Sequence, residues 1–99
     1  MIKHLVMWNL IAEDEAGKAK AAAEIKAALE GLVGRIPEII TLTVSRNAAD
    51  VEHNYDVGLY SEFASVDDLN AYLVHPLHLE AAAIVTSHRA GRAAIDLES

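Results

Sequence analysis

Seven consecutive residues carry most of the chemistry that this sequence offers, Tyr72-Leu-Val-His75-Pro76-Leu-His78. They place a phenol and two imidazoles in one run, in a chain with no cysteine, three tyrosines, one tryptophan and one phenylalanine. A neutral imidazole accepts a proton near neutral pH, and a phenol can orient or polarise a carbonyl. Converging on one cavity, Tyr72 and His78 would form an acid–base pair, with His78 as the base. The same residues also make an ordinary packing device. A His-Pro break joins two helices, and a buried tyrosine commonly bonds to a histidine. Spacing alone leaves both readings open.

Other chemistries are harder to assemble. His75-x-x-His78 offers two imidazoles, whereas a catalytic zinc takes three protein ligands, and no carboxylate stands in register with the two. Asp67 and Asp68 read as helix caps. No metal and no other cofactor is expected. There is no Ser-His-Asp arrangement, no phosphate-cradling glycine loop and no cysteine for thiolate chemistry.

These side chains need elements to hold them. Residues 2–10 alternate as a strand, with Ile2, His4, Val6, Trp8 and Leu10 on one face and Lys3, Leu5, Met7 and Asn9 on the other. Both faces are apolar, so both need cover. His4 is the only ionisable group on its face and joins the candidate site. Residues 14–33 switch to helical spacing, with Ala21, Ala22, Ile25, Ala28, Leu29 and Leu32 as the stripe and Gly31 and Gly34 as the stop.

Ile36-Pro37 then leads to a β-branched strand over 38–46, with Ile40, Leu42 and Val44 on one side and Ile39 on the other. A polar loop containing a solvated His53 precedes a third strand, over 55–63. There Val57 and Leu59 share a face, and Gly58 suggests a bulge or a close backbone approach. Ser65-Val-Asp-Asp68 opens a second helix as a capping sequence. Proline disfavours helical geometry in the residue before it and suits a first helical turn, so His75-Pro76 breaks this helix and starts another. His78 then falls in that first turn, where the helix field disfavours an imidazolium. His88, Arg89 and Gly91 suit the end, and a final strand spans 92–97.

Strand, helix, strand, strand, helix, strand is the ferredoxin-like α+β pattern, an antiparallel sheet with its helices on one face. Helices cover one side of such a sheet, which leaves Leu5 and Met7 for a second copy of the chain. The composition agrees, because 53% hydrophobic residues is rich for 99 residues and one domain spanning 1–99. A formal net charge of −7 provides no basic face for nucleic acid or for an anionic membrane surface. With no apolar run of transmembrane length, no signal-peptide pattern and no disulfide framework, a cytoplasmic protein is expected.

The opening Met1-Ile-Lys-His4-Leu-Val-Met-Trp8, Ile36-Pro37, Tyr60-Ser-Glu-Phe63 and the Tyr72–His78 run together resemble the stress-responsive A/B barrel (Dabb) family across essentially the whole chain. The resemblance implies a dimeric α/β barrel, two ferredoxin-like protomers packed through their helix-free sheet faces. One plant member is a polyketide cyclase that performs an intramolecular aldol condensation without a metal. Its catalytic tyrosine and histidine match Tyr72 and His78, and its pocket histidines match His4 and His75. A pocket tyrosine of that cyclase falls at Leu29 and a pocket histidine at Val57, so the proton-handling pair carries over while the substrate does not.

The expected pocket contains His4, Val6, Trp8, Leu29, Val57, Leu59 and His75, and takes an apolar small molecule. The first functional expectation is a small stress-responsive dimer of unassigned precise role that binds such a ligand. The alternative is a metal-independent cyclase or lyase using Tyr72 and His78. A weaker third likeness is to haem-degrading α/β-barrel monooxygenases, which use a strand asparagine and a tryptophan. Here Asn9 and Trp8 are adjacent and face opposite ways.

Overall fold

The structure is a computed structural model that describes every residue, Met1–Ser99. Its elements are β1 (Ile2–Leu10), α1 (Glu15–Glu30), β2 (Thr41–Arg46), β3 (Val57–Phe63), α2 (Val66–Val74), α3 (Pro76–His88) and β4 (Arg89–Glu98). All strand pairs are antiparallel, and the sheet order is β2-β3-β1-β4. This is the ferredoxin-like arrangement, with the second helical segment split at His75-Pro76.

Strand alternation decides which residues meet the helices. Ile2, His4, Val6, Trp8 and Leu10 are all buried, while Met7 on the opposite face remains 38% exposed. Val57, Leu59, Ser61 and Phe63 of β3 are buried alongside them. The helices contribute Ala21, Ala22, Ile25 and Leu29 from α1, Leu69 and Tyr72 from α2, and Ala81 and Val85 from α3. One contiguous core results, on one side of the sheet. The other side carries Met7, Ile95 and Leu97 as exposed apolar residues.

Helix ends follow their local chemistry. Asp14 caps α1 by accepting from the Gly17 N–H, and Ser65 caps α2 by accepting from the Asp68 N–H. Helix α1 ends at Glu30, three residues before the expected stop. Gly34 then takes φ +84° in the following turn, a conformation that costs other residues a Cβ clash. Near the same end, Glu30 accepts from the Val44 N–H and Lys26 donates to the Val44 carbonyl. Both outward backbone groups of this residue on edge strand β2 are thus occupied.

Four expectations change. Strand β2 begins at Thr41, not at 38, because residues 36–40 turn, with the Ile39 N–H bonded to the Ile36 carbonyl. Ile39 is consequently buried and Ile40 is 50% exposed. Strand β3 begins at Val57, not at 55. Asp56 is instead drawn to β1 and α1, where its carboxylate accepts from the Leu10 N–H and from Lys18. Gly58 marks neither bulge nor close approach, since the β1–β3 register is unbroken and an added Cβ would meet only the Val6 carbonyl oxygen at 3.9 Å. The irregularity lies elsewhere, in β1–β4, where Asn9 pairs with Gly91 but Leu10 pairs with Arg89. Strand β4 accordingly starts at Arg89, not at 92, and Gly91 is a strand residue.

Candidate active site

The His75-Pro76 break positions the site. His75 adopts extended geometry (φ −63°, ψ 135°) and caps α3, its Nδ1 accepting from the Leu77 N–H at 3.0 Å. Pro76 occupies the first helical position, where no N–H is missed. The turn of chain between α2 and α3 then brings His78 back over Tyr72. Their ring centroids lie 4.4 Å apart, with the planes tilted by 49°. Phe63 packs 5.0 Å from Tyr72, and His4 stands edge-on to both Phe63 and Tyr72 at 6.4 Å.

Hydrogen bonds fix the roles of the ring nitrogens. Nδ1 of His78 lies 3.0 Å from the Leu73 carbonyl oxygen, which can only accept. Nδ1 therefore carries the proton, and Nε2 of the neutral ring holds the free lone pair. Burial pushes the His78 pKa below its ordinary value of 6.5; the Leu73 hydrogen bond opposes that shift, and charge on His4 and His75 adds to it. Burial also pushes the Tyr72 phenol up, to about 12, so it stays protonated and able to donate. Tyr72 is 1% exposed, yet its hydroxyl is not an orphaned buried atom. His4 donates from Nδ1 to Asp96 across the β1–β4 pair at 2.5 Å.

The cavity between sheet and helices has a volume of about 180 Å³ and is lined in part by residues of β4. Of the sequence-predicted residues, His4, Val6, Trp8, Leu29, Leu59, Tyr72 and His78 line it. Val57 and His75 do not. Val57 is farther along β3 toward α1 and β2, and the His75 ring is turned to its own helix N-terminus. Because Nδ1 of His75 accepts from the Leu77 N–H, its Nε2 carries the proton, and only His78 of the two offers a free ring lone pair. No three His, Asp or Glu side chains gather as a metal-holding cluster. Asn9 is exposed on the opposite sheet face from Trp8, so the two do not meet. Thr86, Arg89 and Arg92 also line the cavity. Sequence reading missed them because it ended the helix and began the last strand on either side of Gly91. A larger hollow of about 470 Å³ lies on the helix-free face, over Leu5, Met7, Gly58 and Tyr60, but it is open and contains none of the histidines.

With this geometry in hand, comparison with known proteins gives a consistent result. The family model for the stress responsive A/B barrel domain matches residues 2–99. The chain belongs to the Dabb family. A dimeric protein of unknown function and ferredoxin-like fold from Bacteroides fragilis superimposes with a TM-score of 0.88 at 30% identity, covering 99% of this chain and 95% of that one. A Dabb protein from Mesorhizobium loti gives 0.79 at 18% identity, with 99% and 95% covered. Hydroxynitrile lyase from Passiflora edulis gives 0.71 at 17% identity, with 97% and 90% covered, a likeness of fold. Among curated proteins none matches. As a Dabb protein the chain has the barrel protomer its sequence implied, and no helix in it is long and apolar enough to cross a membrane.

Proposed function

We propose that this Dabb protein is a cytoplasmic homodimer that binds a small, largely apolar carbonyl compound and acts on it as a cofactor-independent acid–base catalyst. One observation carries the reading: Tyr72 and His78 line the same cavity, their ring centroids 4.4 Å apart. Nε2 of His78 takes a proton from a carbon activated by an adjacent carbonyl, and the Tyr72 hydroxyl donates to the carbonyl oxygen as enolate charge develops there. Val6, Trp8, Leu29 and Leu59 supply the apolar part of the cavity wall. An aldol-type ring closure and a carbon–carbon lyase reaction both begin or end with such a step. At about 180 Å³ the space is below the roughly 300–1,000 Å³ of sites for drug-sized ligands, so the ligand is small.

The dimer reading rests on the helix-free face. Met7, Ile95 and Leu97 are exposed there beside the hollow over Leu5 and Tyr60, and the similar Bacteroides fragilis protein is itself dimeric. Absence of cysteine suits a reducing compartment. The catalytic part is tested by screening small carbonyl compounds for turnover in wild type, Tyr72→Phe and His78→Asn proteins. Turnover lost in both variants supports it, and unchanged turnover removes it.

A further inference from the structure

Strand β4 joins α3 directly and would ordinarily send residues 89 and 92 to opposite faces of the sheet, since side chains alternate with a period of two. The register shift prevents this. Leu10 pairs with Arg89 and Asn9 with Gly91, so Ala90 is the extra residue of a β-bulge, while Trp8 pairs with Arg92. Leu10 and Trp8 both belong to the helix-facing side of β1. Both arginines are therefore delivered to that side, and both line the cavity that holds Tyr72 and His78.

What sets these two arginines apart from the chain's other unpaired cations, Lys3, Lys20 and Arg35, is that they share one cavity wall. Acidic residues outnumber Lys and Arg by 15 to 8, and Lys18, Lys26 and Arg46 are each paired with a carboxylate. Neither Arg89 nor Arg92 makes an ion pair, and no aspartate or glutamate lines their cavity. Asp96, farther along the same strand, is engaged by His4. Arg89, half-buried, and Arg92, exposed, thus line without counterions a cavity that Tyr72 and His78 also line.

We propose that Arg89 and Arg92 form an anion subsite, and that the ligand of this cavity is a small monocarboxylate with its apolar body between Trp8 and Leu29 and its carboxylate on the two guanidiniums. Planar guanidinium donors match a carboxylate with paired, charge-assisted hydrogen bonds. The proposal rests on the cavity being the ligand site and specifies the ligand class. It places the carboxylate at β4 and leaves the opposite end of the molecule for Tyr72 and His78.

Isothermal titration of hexanoate and benzoate, each against its neutral amide, tests it at near-neutral pH and low salt. The acids are expected to bind about tenfold or more tightly than the amides. In the Arg89→Gln/Arg92→Gln protein that preference falls to about threefold or less, while Arg89→Lys/Arg92→Lys retains part of it, with circular dichroism confirming the fold. Tyr72→Phe and His78→Asn proteins keep the preference, which separates this subsite from the acid–base pair. Equal binding of acid and amide by the wild type, failure of both acids to bind at millimolar concentration, or a preference that survives removal of both arginines would overturn the proposal.

Discussion

The rings of Tyr72 and His78 pack against one another at 4.4 Å with no hydrogen bond between them, and Nδ1 of His78 is bonded to the Leu73 carbonyl. They are two neighbours presented to a common cavity, not a relay in which one activates the other. Each can then be removed without rewiring the other.

The pH behaviour of His78 follows from its burial. Its pKa in the folded protein lies below the 6.5 of the free side chain, so the unfolded chain binds the proton more readily. The His78 contribution to stability is therefore fully present above pH 6.5 and is lost as pH falls through the window between that value and the lower folded value. Denaturant titrations across this window, wild type against His78→Asn, should show the wild type losing more stability on acidification. Proton NMR of the His78 ring should give a midpoint below 6.5. A midpoint above it would mean that the ring is stabilised in its charged form.

Removing the Tyr72 hydroxyl should leave stability almost untouched. The phenol makes no hydrogen bond within the chain, and the ring packing on Phe63 survives in Tyr72→Phe. The variant is expected within about 0.5 kcal/mol of wild type by urea denaturation. Tyr72→Ala, which empties a fully buried position, should cost about 3–5 kcal/mol. A large loss in Tyr72→Phe would show the hydroxyl to be structural.

His75 should behave oppositely to His78. Its ring accepts from the Leu77 N–H at the start of α3 and does not line the cavity. His75→Ala is expected to cost about 1 kcal/mol through the lost cap while leaving ligand affinity unchanged. His75→Asn, a better cap, should recover most of that loss. Affinity reduced with stability intact would place the ring in the site instead.

The helix-free face gives a separate expectation. Met7 stands near its centre, 38% exposed, beside the hollow over Leu5 and Tyr60. Met7→Lys places a charge where a second sheet would pack. Sedimentation at micromolar concentration should show a dimer for wild type and a shift to monomer for the variant. A wild-type monomer would remove the barrel assembly.

Most of the protomer was legible because its signals were local and periodic. The period of two in β1 correctly put His4, Val6 and Trp8 under the helices, and Pro76 correctly split the second helical segment. Strand starts were less legible, since Ile39 and Ile40 differ in burial through a turn at Ile36–Ile39 that no periodicity announces. The arginine pair was invisible for a deeper reason. Residues 89 and 92 share a face only because a bulge shifts the register against β1, and that shift is a tertiary property of two strands about eighty residues apart in sequence. His75 and His78 look equivalent in the sequence. They part because one ring turns to the Leu77 N–H and the other to the Leu73 carbonyl.

The central claim is that His78 and Tyr72 together labilise a proton next to a carbonyl, and proton exchange measures this whatever the natural substrate is. Wild-type protein, incubated in heavy water with 2,4-pentanedione and with short 3-oxo carboxylates, should accelerate deuterium uptake at the activated carbon of at least one of them, as followed by NMR. Tyr72→Phe and His78→Asn should each lower the protein-catalysed rate by about a hundredfold or more, while His75→Ala leaves it unchanged. Exchange no faster than in buffer for every compound, or equally fast in the Tyr72 and His78 variants, would contradict the account.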